Sequence, residues 1–142
     1  MHGGGKIDGR GYHWWLVCIL NIKKLLPNQN YRPHLIRTER VSHLKIHDLV
    51  LKNSAQFHVK LDQATDIEIY SLHILVNTTA QINLFKKFSL EGAIPLFPLN
   101  TDGIDPSGAR VKVYNITVQN FDDVVVPKPS HTGDISSCSE EM

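Results

Sequence analysis

The stretch VSHLKIHDLVLKN, at residues 41–53, alternates apolar and polar residues and ends in asparagine. The same pattern returns at residues 65–77 as TDIEIYSLHILVN and at residues 109–120 as ARVKVYNITVQN. Alternation with a period of two residues is typical of a β-strand that buries one face. We interpret the three stretches as one strand-sized unit that is used three times.

The three units recur at a nearly constant interval. Their last residues, Asn53, Asn77 and Asn120, are separated by 24 and 43 residues, close to one and two steps of about 22 residues. Such a period is typical of a solenoid, and helix-forming windows are scarce because Val, Ile, Thr and Asn dominate. We expect an all-β solenoid, with a β-sandwich of three similar strands as the alternative. An asparagine at the same place in each coil suits a left-handed turn and could stack as an amide ladder.

The composition is that of a single ordinary domain. The chain has 142 residues, of which 42% are hydrophobic and 20% charged, and its net charge is +1. This balance gives no reason to expect a nucleic-acid or membrane partner, and no segment is long enough to span a bilayer. Cys18 and Cys138 are far apart and lack the spacing of metal ligands, so we expect neither a disulfide framework nor a zinc site.

Three segments interrupt the regular pattern. Residues 16–31 are irregular, and residues 131–142 form a polar tail that we expect to be loose. Residues 78–108 contain three prolines, the apolar run IPLFPL and the acidic run NTDGID, and we interpret them as an inserted loop. Loops inserted on one side of a solenoid often form its binding side.

Three aspartates carry the strongest sign of chemistry. Asp102 precedes Asp123 by 21 residues, or about one coil, so we expect the two to stack about 4.8 Å apart at the backbone. Asp122 is then the diagonal neighbour, at roughly 6 Å. That spacing is close to the lower edge of the roughly 6.5–9.5 Å that inverting glycosidases need between their two carboxyl groups.

The aspartate pair raises a difficulty of geometry. Successive residues of a regular strand face opposite sides, so Asp122 and Asp123 can share a cleft only at a bend or bulge, unless one of them is buried and structural. Three carboxylates this close cannot all stay ionised, so at least one pKa should be raised, as a general acid requires. A calcium-like oxygen cluster or a solvated aspartate-rich turn would have the same spacing, and the residues alone leave these alternatives open.

The two acidic motifs resemble those of a known family. NTDGID at 100–105 and NFDD at 120–123 are similar, in order and spacing, to the first two active-site motifs of the polygalacturonases, pectin-cleaving glycoside hydrolases with a right-handed parallel β-helix. GGGKIDGRGYHWW at 3–15, RPHLIR at 32–37 and LKNSAQFHVKLD at 51–62 resemble the early coils of that family. PLNTDGIDPSG at 98–108 is most similar to the fungal-type exopolygalacturonases, which favours exo over endo action.

The resemblance implies a role for each site residue. Asp122 would be the general acid that protonates the glycosidic oxygen, and Asp102 and Asp123 would activate the attacking water, with inversion at the anomeric carbon. Asn100 and Asp105 would orient these groups or the sugar. The resemblance also implies a secreted monomer that acts on polygalacturonate or pectin oligosaccharides outside the cell, without a metal or cofactor.

The chain also departs from the family pattern. The Gly-His-Gly and Arg-x-Lys motifs that follow the aspartate pair in the family are not reached before Met142, and Val124 stands where a cysteine is common. We therefore expect an incomplete β-helix, either a fragment or a truncated product. Two hypotheses follow, an active hydrolase and a non-catalytic remnant that at most binds pectin.

Overall fold

The structure, a computed structural model, describes residues 1–19, 31–87 and 100–129. These residues form one sheet in which every pairing between strands is parallel. The strands are β1 Lys6–Asp8, β2 Ile36–Glu39, β3 Lys45–Lys52, β4 Val59–Leu75 and β5 Ile104–Gln119, and the helices are α1 Tyr12–Ile19 and α2 Thr79–Lys87. The sheet curls as a partial parallel β-helix, which confirms the predicted fold class.

The register of the strands defines the coil. Ile36 in β2 pairs with Val59 in β4, and Lys45 in β3 pairs with Glu68 in β4, each 23 residues later. This step agrees with the predicted period of about 22 residues. The sandwich alternative is wrong, because sandwiches are built from antiparallel strands.

Stacked left-handed residues bend each coil at the same place. Asp48, Ser71 and Asn115 occupy equivalent positions on three coils and have φ values of 53°, 49° and 49°. A single left-handed residue redirects a strand without ending it. The Asn115 amide also donates to the Ser71 hydroxyl at 3.0 Å, so side chains tie this corner together from coil to coil.

The predicted ladder of terminal asparagines is wrong. Of the three terminal asparagines, Asn53, Asn77 and Asn120, only Asn53 has a left-handed backbone, with φ of 49°. Its side chain donates to Asp8 and accepts from the backbone N–H of Asn77, rather than pairing with another amide side chain. The Asn120 side chain instead bonds two backbone carbonyls next to the acidic motifs.

Aliphatic side chains stack from coil to coil to make the core. Ile46 lies opposite Ile69, Leu49 opposite Leu72, and Leu51 opposite Ile74, and all six are buried. Each such side chain contributes about 1.5–3 kcal/mol to stability on full burial. Trp15 in α1 is buried as well, and its indole N–H donates to the carbonyl of Ser54 at 3.0 Å.

The structure differs from the expected boundaries at two places. Strand β5 begins at Ile104 and pairs along residues 104–108 with β4, so these residues belong to a coil and not to the predicted loop at 78–108. Helices α1 and α2 were not predicted, because eight or nine residues are too few for the helical period to stand out. Parts of the predicted irregular segments lie outside the described residues. These parts are residues 20–30 of the segment 16–31, residues 88–99 of the segment 78–108, and the whole tail at 131–142. Neither helix is long and apolar enough to cross a membrane.

Candidate active site

Consecutive coils bring the two acidic motifs together. The backbone N–H of Gly103 donates to the carbonyl of Asp123 at 2.9 Å, and Ile104 pairs in parallel with Val125. This register places Asp102 beside Asp123 on the neighbouring coil, as the 21-residue spacing predicted. Gly103 is required here, because a Cβ at this position would lie 2.4 Å from the carbonyl oxygen of Val124.

The three aspartate side chains converge. One carboxylate oxygen from each of Asp102, Asp122 and Asp123 lies within 4.8 Å of the other two. The chain bends at residues 121 and 122, before the next coil begins. Asp122 and Asp123 are therefore not in a regular strand, in which adjacent side chains would face opposite sides. Asp102 is buried, Asp122 is half-buried and Asp123 is exposed, so the cluster extends from the interior to solvent.

Backbone donors hold the Asp122 carboxylate at both oxygens. The N–H of Asn100 donates to Oδ2 at 2.7 Å, and the N–H of Asp123 donates to Oδ1 at 3.0 Å. Asn100 reaches this position with a left-handed backbone, at φ of 58°. The contact that Asn100 makes with this carboxylate is thus through its backbone N–H.

A buried arginine supports Asn100 from behind. Arg32 is 3% exposed, and its guanidinium donates to Asn100 Oδ1 at 2.9 Å and to the carbonyl of Ala55 at 3.1 Å. Its positive charge also interacts favourably with Asp102 and Asp122. Sequence reasoning missed this role, although Arg32 belongs to the RPHLIR motif that resembles an early coil.

Burial sets the protonation of Asp102. The side chain is 4% exposed, and burial, followed by repulsion from Asp105 and Asp122, raises its pKa to about 6. Its Oδ1 atom accepts no hydrogen bond from the described residues. The prediction that one pKa in the cluster is raised is confirmed, but the raised pKa belongs to Asp102, the innermost carboxyl, and not to Asp122, which the resemblance makes the general acid.

Asp105 is a second buried carboxyl beside the cluster. Burial raises its pKa, although the Lys128 ammonium, 3.1 Å from Oδ2, opposes the shift. Asp105 lies one strand position beyond Ile104 and pairs in register with Lys60 of the preceding coil. It thus links the aspartate cluster to two lysines.

A buried histidine fixes the backbone of Asp102. The N–H of Ser54 donates to His58 Nε2 at 3.3 Å, so the ring proton is on Nδ1, which donates to the Asp102 carbonyl at 3.0 Å. Burial lowers the pKa of His58 and keeps the ring neutral. This positioning role was not predicted, because the contact joins residues 44 apart in the chain.

Hydrogen bonds from the Asn120 side chain connect the acidic motif at 100–105 to the motif at 120–123. Its side-chain amide donates to the carbonyl of Thr101 at 3.0 Å and to that of Asp123 at 2.9 Å. The N–H of Phe121 also donates to the Thr101 hydroxyl at 3.2 Å. The residues flanking the aspartates therefore hold the bend that brings the carboxylates together.

The carboxylate spacing is suited to acid–base chemistry. Oxygens within 4.8 Å of one another allow carboxyl carbons up to about 7 Å apart, a range that includes both retaining and inverting glycosidases. Carboxylate oxygens are also the ligands that calcium prefers, so a cation site is the alternative use of this cluster.

Comparison with known proteins identifies the family of the chain. Residues 1–137 match the model of the glycosyl hydrolases family 28. The chain is 27% identical over 156 residues, covering all of this chain and 34% of the relative, to "Endo-polygalacturonase" of Pectobacterium carotovorum subsp. carotovorum. It is 28% identical over 98 residues, 69% of this chain and 18% of the relative, to "Rhamnogalacturonase A" of Aspergillus aculeatus.

A plant relative is also similar. The chain is 25% identical over 124 residues, 87% of this chain and 23% of the relative, to "Polygalacturonase-2" of Solanum lycopersicum. The chain thus spans between about a fifth and a third of the length of these relatives. No solved structure matches the chain. Because the family model covers nearly every residue, the chain belongs to the glycosyl hydrolases family 28.

Proposed function

We propose that the chain is a pectin-degrading glycoside hydrolase that cleaves α-1,4-galacturonosidic bonds of polygalacturonate with inversion. The observation that supports it best is the convergence of the Asp102, Asp122 and Asp123 carboxylates, one oxygen of each lying within 4.8 Å of the others. Closely spaced carboxyl groups of different environment are the usual means by which one site provides both an acid and a base.

The proposed mechanism uses each carboxyl once. Asp122 donates a proton to the glycosidic oxygen as the bond to the anomeric carbon breaks, and a water attacks that carbon from the opposite face. Asp102 and Asp123 hold this water and take its proton. The short spacing of the oxygens then lets a proton return to Asp122 before the next turnover.

Other residues would maintain this geometry without touching the reacting atoms. The Asn100 N–H fixes the orientation of Asp122, while Arg32 fixes Asn100. Asp105 would restrain the position of Lys128 and raise the pKa of Asp102 by repulsion. These contacts support the orienting roles proposed for Asn100 and Asp105.

We favour exo action at a chain end, on the resemblance of residues 98–108, and an extracellular monomer with no nucleic-acid or membrane partner. Digestion of polygalacturonate tests the first point, because exo action releases monomers or short units from the start. A ladder of intermediate oligomers would instead show endo action. Cleavage of rhamnogalacturonan alone would instead match the name of the Aspergillus aculeatus relative.

Replacing Asp122 tests the mechanism. Asp122→Asn keeps the size and one of the two hydrogen-bond acceptors but removes the proton, so we expect release of reducing ends to fall at least about a hundredfold. Asp48→Asn is the matched control, since Asp48 is an exposed aspartate with a left-handed backbone that asparagine tolerates.

Two results would contradict this proposal. Unchanged hydrolysis by a folded Asp122→Asn variant would remove Asp122 from the mechanism. Binding of polygalacturonate without any hydrolysis by the unmodified chain would support the alternative, a non-catalytic β-helix that binds pectin.

A further inference from the structure

A buried carboxylate in the aspartate cluster has an oxygen without a hydrogen-bond partner. Asp102 is 4% exposed, and its Oδ1 atom accepts no hydrogen bond from the described residues. The side chain is directed into the cluster, because one of its oxygens lies within 4.8 Å of an oxygen of Asp122 and of Asp123. Buried polar atoms in folded proteins almost always have a partner. An unpaired acceptor among other acceptors therefore indicates that a positively charged ligand completes the group.

The spacing of the three oxygens fits one calcium ion. Calcium–oxygen distances are about 2.3–2.6 Å, so two ligands of the same ion lie at most about 5.2 Å apart. The cluster oxygens lie within 4.8 Å of one another and meet this limit as they stand. Magnesium–oxygen distances of about 2.0–2.1 Å lower the limit to about 4.2 Å, and magnesium releases its water ligands reluctantly. The geometry therefore favours calcium over magnesium.

The hydrogen bonds of Asp122 leave it able to bind a cation. Its Oδ2 atom accepts from the N–H of Asn100 at 2.7 Å, and its Oδ1 atom accepts from the N–H of Asp123 at 3.0 Å. A carboxylate oxygen has two lone pairs, so each of these atoms retains one for a metal ion. The two N–H groups also fix the carboxylate before a cation binds, which lowers the entropic cost of binding.

The cluster has an excess of negative charge and is open to solvent on one side. Asp105 and Asp122 both repel the Asp102 carboxylate, and the Arg32 guanidinium offsets only part of this charge. A divalent cation at the centre of the cluster would neutralise the remainder. Asp123 is exposed, so water molecules can supply the rest of the six to eight oxygens that calcium takes.

We propose that Asp102, Asp122 and Asp123 bind a calcium ion, and that the bound ion prevents hydrolysis. Calcium binding follows from the oxygens alone, whereas its effect on hydrolysis rests on the proposed function. A calcium ion would hold Asp122 as a carboxylate, which has no proton to donate to the glycosidic oxygen. It would also occupy the position of the attacking water between the aspartates. Calcium is thus a reversible inhibitor of the chain and not its cofactor.

Isothermal titration of the full chain with calcium chloride at neutral pH tests the site, after dialysis against EDTA and then against buffer. We expect a Kd of about 0.1–1 mM, the range of weak extracellular calcium modules, and a Kd at least about tenfold higher for magnesium chloride. Asp123→Asn removes one ligand charge at an exposed position and should weaken calcium binding by about tenfold or more. Asp48→Asn, at an exposed aspartate outside the cluster, is the matched control and should leave the Kd unchanged.

Urea denaturation gives a second measurement that needs no variant. A ligand that binds only the folded state multiplies the folded-to-unfolded ratio by one plus the ratio of its concentration to Kd. Calcium at ten times its Kd should therefore raise the folded-to-unfolded ratio about elevenfold, and magnesium at the same concentration by about twofold at most. No calcium binding up to about 10 mM, an unchanged Kd in Asp123→Asn, or equal effects of calcium and magnesium would each overturn the calcium site.

Hydrolysis separates this inference from the proposed function. With trigalacturonate below its KM as the substrate, we expect calcium at its Kd to halve the release of reducing ends, and magnesium at the same concentration to change it little. Calcium binding by an unmodified chain that releases no reducing ends would support the calcium site and contradict the hydrolase. Hydrolysis by a chain that binds no calcium would do the reverse. Full activity at saturating calcium would contradict the inhibition.

Discussion

The buried carboxyl of Asp102 should make the folded chain less stable as pH rises. Its pKa is raised from 3.8 to about 6, so the folded state binds more protons than the unfolded state between these values. The folded state incurs no penalty below about pH 4 and the full penalty above about pH 6. At 1.36 kcal/mol per pKa unit, this penalty is about 3 kcal/mol at most.

Asp102→Asn removes this titration while keeping the shape of the side chain. We expect the variant to gain stability relative to the unmodified chain as pH rises from 4 to 7.5, by up to about 3 kcal/mol. The change with pH is the informative quantity, because the new amide group incurs a pH-independent cost if it finds no hydrogen-bond partner. Asp102→Asn should also lose hydrolysis, so a gain in stability would accompany a loss of function.

Urea denaturation between pH 4 and pH 8 measures this difference, with Asp48→Asn as the exposed control. The control should follow the unmodified chain at every pH. A stability difference between Asp102→Asn and the unmodified chain that stays constant over this range would refute the assignment of the raised pKa to Asp102.

Two further substitutions test the supports of the site. Gly103→Ala places a Cβ 2.4 Å from the Val124 carbonyl oxygen, so we expect the free energy of unfolding in urea to fall by about 1–3 kcal/mol and kcat to fall as well. Gly5→Ala is the control, because no atom lies within 4 Å of its Cβ, and it should change neither quantity. Arg32→Lys keeps the charge, but its single ammonium group cannot donate to both the Ala55 carbonyl and Asn100 Oδ1 with the geometry of a guanidinium. We therefore expect the free energy of unfolding to fall by about 1.5–3 kcal/mol and kcat to be lower. Unchanged stability and kcat in either variant would contradict the corresponding support.

Local patterns in the sequence determined the coil and its spacing. The alternation in residues 41–53, 65–77 and 109–120 reports which side chains face the core, because a strand alternates its faces regardless of its partners. The interval between the units predicted a coil of about 22 residues, close to the 23-residue step that pairs Lys45 with Glu68, and the 21-residue spacing predicted the stacking of Asp102 on Asp123. The same spacing singled out the three aspartates, whereas their roles, and those of Asn100 and Asp105, came only from the resemblance to the polygalacturonases.

Only the tertiary structure decided how those aspartates are supported and protonated. Arg32 reaches Asn100 across 68 residues and His58 reaches Asp102 across 44, and no local pattern reports contacts of that length. The start of β5 at Ile104 depends on how the coils pack, since a proline-rich segment is compatible with several local geometries. The hydrogen bonds of Asn120 depend on the same packing, because an asparagine at the end of a strand can adopt several conformations. The raised pKa falls on Asp102 because burial is a property of the folded chain, whereas the sequence could indicate only that three carboxylates lie close together.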